Sequence, residues 1–183
     1  PIPPRASISS PTLCRDWEAQ AAQAASSGVN VVTMRFGLVL GDGGALPMMT
    51  MPIRLGLGGP LGSGRQWVSW IHLRDLIAAI AHLWTTTGVG TRFEATSAAG
   101  QVRAFNFTAP GAVTQRRFSE VAAALLHRPC WMPTPALPVR WLLGEQSDLL
   151  LQGQRVAPAA LLRSGYRFEF ASLPQALTDL YRR

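Results

Sequence analysis

The sequence predicts an α/β fold, and two neighbouring segments carry this prediction. Residues 13–26 are rich in strong helix formers, and Gly28 follows at a position where helices commonly end. Residues 29–40 form a nearly continuous apolar segment, which is typical of a strand buried on both faces of a parallel sheet. A helix that leads through a short turn into such a strand is half of a βαβ crossover unit. We therefore expect helices packed on parallel strands.

The other elements follow from hydrophobic spacing, helix caps and prolines. Residues 1–12 hold four of the fourteen prolines and predict an irregular lead-in. The glycine-rich residues 41–64 predict loops with one short helix at 46–54, and residues 88–103 predict a polar hairpin or insertion. Short strands are expected at 66–71 and 105–108. Helices are expected at 73–85, from the cap residue Thr114 to Leu126, and at 136–143, 148–152, 157–163 and 173–181.

The composition excludes three kinds of chemistry for this chain. Its 183 residues include 17 basic and 10 acidic side chains, a net charge of +7, and every basic residue is arginine. The chain therefore contains no Schiff-base lysine, no phosphate loop that ends in lysine and no Tyr-x-x-x-Lys dyad. The length suits one compact domain or a domain with a small lobe. Charged residues make up only 15% of the chain, which predicts some exposed apolar surface.

Charge and cysteine usage limit the expected partners and location. The arginines are scattered, so we expect no nucleic-acid partner despite a pI near 11.2. No apolar run reaches the roughly 18 residues needed to cross a bilayer, so we expect no membrane span. Cys14 and Cys130 lie far apart, which favours a reducing compartment: the cytoplasm, or a plastid stroma or mitochondrial matrix. His127 and Cys130 alone lack the four ligands of a zinc site, so no metal is expected.

Two motifs leave alternatives open. Gly56, Gly59 and Gly62 have the G-x-x-G-x-x-G spacing of a pyrophosphate loop, but the sequence context favours a flexible loop. His72 and Asp75 could form a proton-transfer pair. Alternatively, His72 bonds local backbone and Asp75 caps its helix, and this second interpretation is favoured because carboxylates commonly cap helices.

The tryptophans divide between pocket and core positions. Trp67 and Trp70 flank the glycine-rich loop and are candidates to wall a ligand pocket, although Trp70 suits the core equally well. Trp17, Trp84 and Trp141 lie at helical positions and are predicted to be in the core.

Several blocks in order resemble one protein family. The string RFGLVLGDGGALPMMTMPIRLGLGGPLGSGRQWVSWIHLRDL is similar to the epimerase family, an atypical extended branch of the short-chain dehydrogenase/reductases. The blocks FNFTAP, ALLHRP, LLGEQSDLLLQGQRV and GYRFEF resemble the C-terminal domain of unknown function that closes those proteins. The resemblance implies an incomplete Rossmann-type, NAD(P)-binding fold with a helical substrate-side lobe. It divides the chain into a lead-in (1–12), the last helix and strand of the dinucleotide-binding domain (13–44), and the substrate-side lobe with the C-terminal domain (45–183).

The resemblance also implies site residues. The intact protein is expected to bind NADP or NAD, and the strand residues that meet the cofactor are Arg35, Gly37, Leu38 and Val39. A small or sugar-like substrate is expected to contact Arg65, Gln66, Ser69, Trp70 and His72.

Four positions, in two motifs, depart from the patterns of the wider family. Ser10 and Cys14 stand where extended relatives carry the Tyr-x-x-x-Lys dyad, so no catalytic residue is assigned. Val68 and Ser69 replace the arginine and aspartate of the G-x-G-x-Q-x-R-D-W-I-Y block of nucleotide-sugar dehydratases. The second of these departures weakens the expectation of nucleotide-sugar specificity.

The sequence therefore predicts the C-terminal part of an NAD(P)-dependent epimerase- or dehydratase-like protein. The chain lacks the initiator methionine and the first half of the fold, so we expect upstream sequence and no cofactor bound by this chain alone. Its expected partner is the missing half or a second copy. Two alternatives remain: a non-catalytic interaction module, as in relatives labelled division factors, or a truncated product without a function of its own.

Overall fold

The computed structural model describes residues 11–56, 58–86, 100–131 and 153–182. Helix α1 is followed by a short 3-10 turn, and the remaining elements alternate between strands and helices, which confirms the predicted α/β class. The elements are α1 (Pro11–Gln23), β1 (Val31–Phe36), β2 (Leu38–Leu40), α2 (Ala45–Arg54), β3 (Trp67–Val68), β4 (Trp70–His72), α3 (Leu73–Thr86), β5 (Val102–Phe107), β6 (Val113–Thr114), α4 (Gln115–Leu125), α5 (Ala159–Arg163) and α6 (Leu173–Tyr181).

Two predicted strands are each divided in two by the structure. The strand expected at 29–40 breaks at Gly37, and the strand expected at 66–71 breaks at Ser69. The two breaks lie beside each other, because a Cβ on Gly37 would come within 2.5 Å of the Ser69 carbonyl oxygen. The helices expected at 136–143 and 148–152, and residues 1–10 of the lead-in, lie outside the described residues.

The chain divides into two compact units. Unit 1 consists of Pro1–Arg35 and Ala81–Phe105, and unit 2 of Phe36–Ile80 and Asn106–Arg183. In unit 1, β1 pairs with β5 in a two-stranded sheet, and residues 34–36 of β1 are exposed rather than buried on both faces as predicted. Trp17 and Trp84 are 64% and 62% exposed, so their predicted core positions are wrong.

Unit 2 contains a parallel strand pair and a continuous core. Strand β2 pairs with β4 in parallel register, Leu38 with Trp70 and Leu40 with His72, and β3 pairs antiparallel with β6. Helices α2, α4 and α6 contribute apolar side chains to one cluster that includes Leu40, Ile53, Phe118 and Leu177. The predicted cap of α4 is confirmed, because the Thr114 hydroxyl accepts a hydrogen bond from the Arg117 amide at 3.3 Å.

Two classes of feature are not found among the described residues. None of their helices combines the length and the apolar character that a bilayer span requires. Nor do those residues contain a group of three or more His, Cys, Asp or Glu side chains arranged to hold a metal ion.

Candidate functional site

The candidate site is the edge of the sheet where β2 and β4 end. Leu40 and His72 are partners in the parallel register, so the carboxyl ends of both strands lie level. In open parallel sheets, ligands bind outside this end of the strands. Strand β2 continues into Gly41, which is buried, and then into exposed residues 42–44, while β4 passes directly into α3. We call Leu40, Gly41 and His72 the ligand edge.

His72 is held on both sides of its ring. Only 1% of the residue is exposed, and its Nδ1 accepts a hydrogen bond from the Arg74 amide at 3.1 Å. Its Nε2 lies 3.4 Å from Oδ2 of Asp179, and its ring stacks on Phe170 with 4.0 Å between ring centroids. The prediction that His72 bonds local backbone is confirmed. The same contacts keep the imidazole covered in this conformation.

Asp75 binds the C-terminal segment. Its Oδ1 accepts hydrogen bonds from the Tyr166 hydroxyl and the Glu169 amide, each at 2.9 Å, and its Oδ2 accepts one from the Phe170 amide at 2.9 Å. The predicted role of Asp75 as the cap of its own helix therefore misses its main partners, which lie more than 90 residues further along the chain. Burial, and then the hydrogen bond to Asp75, raise the pKa of the Tyr166 hydroxyl above its ordinary value.

Two predicted substrate residues lie on the loop before β3. The side chain of Gln66 donates to the Leu61 carbonyl at 3.0 Å and accepts from the Ser63 hydroxyl at 3.3 Å, so it shapes the loop. Arg65 is exposed, and its amide donates to the Ser63 hydroxyl at 3.3 Å. The Arg65 guanidinium is therefore the predicted substrate group that faces solvent most openly.

Two further predicted substrate residues serve the fold. The Ser69 hydroxyl donates to the Gln154 carbonyl at 2.7 Å and accepts from the Val156 amide at 2.9 Å. Trp70 is fully buried, and its indole nitrogen donates to the Gly111 carbonyl at 2.8 Å. Ser69 thus holds a distant segment of backbone, and Trp70 fills the core beneath the ligand edge.

The predicted cofactor residues lie in both units. In unit 1, Arg35 forms a bidentate ion pair with Glu18 through two hydrogen bonds of 2.7 Å. The hydrogen bonds to Arg35 lower the pKa of the Glu18 carboxyl, and the same pair raises the pKa of Arg35. In unit 2, Gly37 packs against the Ser69 backbone, and the half-buried Leu38 and Val39 belong to β2.

Residues 153–157 form a backbone strap that was not predicted from the sequence. Besides the two bonds with Ser69, the Val156 carbonyl accepts from the Thr108 hydroxyl and the Ala157 carbonyl accepts from the Asn106 amide, both at 3.3 Å. A Cβ on Gly153 would collide with the Trp67 carbonyl oxygen, so only glycine fits there. Because Ser69 precedes β4, this strap lies at the opposite end of the strand pair from the ligand edge.

Part of the C-terminal region matches a known domain family. The family described as Domain of unknown function (DUF1731) matches residues 134–180. The described part of this match contains Tyr166, Phe170 and Asp179, which contact Asp75 or His72. The domain therefore supplies one wall of the ligand edge.

Relatives of known name match nearly the whole chain. Epimerase family protein SSP1921 of Staphylococcus saprophyticus is 44% identical over 165 residues, which are 90% of this chain and 51% of that protein. Epimerase family protein YfhF of Bacillus subtilis is 37% identical, with 90% and 50% covered. A chloroplastic relative from Arabidopsis thaliana is 37% identical, with 90% and 44% covered. The chain spans about half the length of the curated relatives it matches.

Solved structures agree with these matches. The human epimerase family protein SDR39U1, crystallised with NADPH, superposes with a TM-score of 0.71 at 35% identity and covers 84% of this chain and 49% of that one. A nucleoside-diphosphate sugar epimerase from Corynebacterium glutamicum superposes with a TM-score of 0.64 at 26% identity. The superposition covers 92% of this chain and 30% of the epimerase chain. The resemblance seen in the sequence blocks is confirmed: this chain is similar to epimerase family proteins over about nine tenths of its length, and its residues 134–180 match the DUF1731 domain.

Proposed function

We propose that this chain is the C-terminal part of an NAD(P)-dependent epimerase- or dehydratase-like protein and forms the substrate side of its site. The observation that carries the proposal is the level ending of β2 and β4, because this is where open parallel sheets bind ligands. The human relative whose structure holds NADPH supports a nicotinamide cofactor for the intact protein. Such a cofactor, when bound, supplies hydride transfer.

The backbone after β2 fits the approach of a flat cofactor ring. A Cβ added to Gly43 or Gly44 would meet no atom within 4 Å, so this loop leaves open space beside the ligand edge. Gly44 has a φ of +70°, a conformation that glycine adopts without strain. By contrast, Gly37 is already in close contact with protein backbone. We therefore assign the cofactor approach to residues 41–44, and keep Leu38 and Val39 as the strand that positions them.

The substrate role falls mainly to Arg65 among the residues predicted for it. Its guanidinium is exposed and suits an anionic or hydroxyl-rich ligand. Gln66, Ser69 and Trp70 act indirectly, since each holds the loop or the strand that carries the site. No proton carrier is assigned, because the exposed Cys14 and the residue Ser10 occupy the positions of the dyad.

A binding experiment tests the proposal. NADPH is titrated, with tryptophan fluorescence as the signal, into this chain alone and into a hybrid in which the chain replaces its matching half of the Bacillus subtilis relative. We expect saturable binding by the hybrid and none by the chain alone, since the pyrophosphate-binding elements lie outside this chain. Tight binding by the chain alone would overturn the proposal.

A truncation protects the test against a hybrid that does not fold. The Bacillus subtilis relative is shortened to the half that matches this chain and compared with its intact form. We expect the intact form to bind NADPH and the shortened form to lose that binding. If the shortened form still binds NADPH, the pyrophosphate-binding elements lie within the matching half, and the proposal is contradicted.

A second candidate function is that of an interaction module, and one observation favours it. Unit 1 exposes five large apolar side chains by 41–64%: Trp17, Val29, Met34, Trp84 and Val102. Exposed apolar side chains of this size favour a surface that pairs with the missing half or a second copy. Size-exclusion chromatography with light scattering tests it, since a monomer with no affinity for hydrophobic dye speaks against the module. We also propose a location in the cytoplasm or, in a eukaryote, in a plastid stroma or mitochondrial matrix; the chloroplastic relative supports the stroma.

A further inference from the structure

The loop between α5 and α6 lies over His72 of the ligand edge and over Asp75, and both of these titratable side chains are buried. This loop, residues 166–170, belongs to the DUF1731 match. The Phe170 ring stacks on the imidazole of His72, and its centroid lies 4.0 Å from that of His72. Residues 166–170 therefore cover an imidazole that stands at the carboxyl end of β4.

One buried carboxylate holds this loop in place. Three donors of the loop bind Asp75 at 2.9–3.0 Å: the Tyr166 hydroxyl shares its one proton between a carboxylate oxygen and the Asp75 carbonyl, and the Glu169 and Phe170 amides donate one hydrogen bond each. Hydrogen bonds to a charged group are among the stronger ones in proteins. Asp75 is only 1% exposed, so water competes little for these bonds.

The outer face of the loop has weaker attachments. Arg74 forms an ion pair of 2.8 Å with Glu169, but both side chains are about half exposed, at 49% and 55%. The Arg74 guanidinium also lies 5.3 Å from the centroid of the Phe170 ring. Exposed ion pairs contribute little to stability. The Asp75 bonds and the burial of Phe170 thus dominate the closed position of the loop.

The loop is flanked by positions that allow it to turn. Gly165 precedes it with a φ of +86°, and a Cβ there would meet no atom within 4 Å. Ala171, which follows it, is exposed, and Ser172 is the N-cap of α6. Rotation at these two points moves residues 166–170 while α5 and α6 stay folded. Such a segment can open locally without global unfolding.

We infer that residues 166–170 form a lid, latched by Asp75, that closes over His72 and opens to give a ligand access to the imidazole. In the open position the bond from the Arg74 amide still orients Nδ1, because both residues belong to the same turn. Nε2 still faces Asp179, which lines an open groove with Pro174, Gln175, Thr178 and Arg182. The inference rests on the proposed function for the meaning of the ligand edge.

Chemical labelling of the three histidines tests the lid. Diethyl pyrocarbonate modifies neutral imidazole, and peptide mass spectrometry gives a separate rate for His72, His82 and His127, of which His127 is exposed. In the wild type, we expect His72 to react about tenfold or more slowly than His127, because reaction waits for local opening. Tyr166→Phe keeps the ring and removes its hydrogen bonds, and we expect it to raise the His72 rate about fivefold. Asp75→Asn should raise it further, with the His127 rate unchanged.

A matched core variant distinguishes local opening from global unfolding. Ile53→Val, on α2, lowers stability modestly at a buried position outside residues 166–170. A lid predicts an unchanged His72 rate in this variant, whereas a rise equal to that of Tyr166→Phe would overturn the inference. A wild-type His72 that reacts as fast as His127, or a Tyr166→Phe rate equal to that of the wild type, would overturn it too. If Asp75→Asn fails to fold, Tyr166→Phe decides alone. The labelling uses no cofactor, so it tests the lid even if the NADPH experiments contradict the proposed function.

Discussion

Unit 1 and unit 2 differ in how their apolar side chains are placed. Among the described residues, the buried apolar side chains of unit 1 are Ala25, Leu83 and Phe105, while unit 2 holds the cluster that joins α2, α4 and α6 to the strand pair. Both units also expose large apolar side chains, among them Trp17 and Trp84 in unit 1 and Trp131 in unit 2. Burial of apolar surface is the main stabilising term of folding. Unit 2 therefore has the interior of a self-sufficient domain, whereas the described part of unit 1 buries few apolar side chains.

The largest expected difference between the units comes from removing one aromatic ring from each. Phe118→Ala empties a fully buried position in unit 2 and should lower the free energy of unfolding by about 3–5 kcal/mol. Trp17→Ala, on the exposed face of α1, should change it by less than about 0.5 kcal/mol. Urea unfolding followed by circular dichroism measures both. Equal losses would mean that unit 1 has a core of its own, which contradicts the comparison.

Two glycines distinguish tightly packed from open backbone within unit 2. In Gly37→Ala the new Cβ would lie 2.5 Å from the Ser69 carbonyl oxygen and 2.8 Å from a Thr108 methyl group, so strands must separate. We expect a loss of about 1–3 kcal/mol. Gly43→Ala places its Cβ in open space and serves as the control, with an expected change near zero. Thermal unfolding measures the stability of both variants. If Gly37→Ala is as stable as the wild type, the packing between Gly37 and Ser69 is looser than described.

Loosening the strap at residues 153–157 should lower stability by an intermediate amount. Ser69→Ala removes one hydroxyl that serves both the Gln154 carbonyl and the Val156 amide, and it should cost about 1–2 kcal/mol. Ser26→Ala in unit 1 is the matched control, since that exposed hydroxyl donates only to the nearby Gln23 carbonyl at 2.7 Å among the described contacts. Amide exchange of residues 153–157 should rise in Ser69→Ala alone. Unchanged exchange would show that Ser69 does not hold the strap.

The smallest expected effect lies on the surface of unit 1. Pairing with Arg35 lowers the pKa of Glu18, so its contribution to stability is present above the ordinary carboxyl pKa near 4.5 and is lost as the pH falls below it. Glu18→Gln should therefore differ slightly from the wild type at pH 7, and the difference should shrink as the pH falls through the lowered pKa of Glu18. Molar salt should also remove the difference. A difference that persists at acidic pH would require another role for Glu18.

The regular helices could be predicted because their signals are local. Helix α6 begins and ends at the predicted residues, α3 extends one residue beyond its predicted end, and α4 starts directly after its predicted cap, Thr114. The bond between His72 and local backbone was predictable for the same reason, since its donor lies two residues away. The family could be identified because ordered blocks of residues persist along the chain.

Contacts between distant parts of the chain were beyond sequence reasoning. Ser69 bonds the strap 85 residues away, and Asp75 bonds the lid at separations above 90, and neither spacing leaves a periodic signal. The tryptophan prediction failed because a large apolar side chain at helical spacing is core only when another element covers that face. Within the described part of unit 1, nothing buries Trp17 or Trp84.

The order in which unit 2 is completed has a consequence for its synthesis. Leu173, Ala176 and Leu177 of α6 join the same cluster as Leu40, so the interior closes only when the two ends of this unit meet. A nascent polypeptide must therefore leave α2 and α4 with uncovered apolar faces until α6 has emerged from the ribosome. Closing such long loops is slow compared with forming helices. We expect unit 2 to complete its folding only after α6 has been synthesised, and its uncovered apolar faces to need chaperone protection until then.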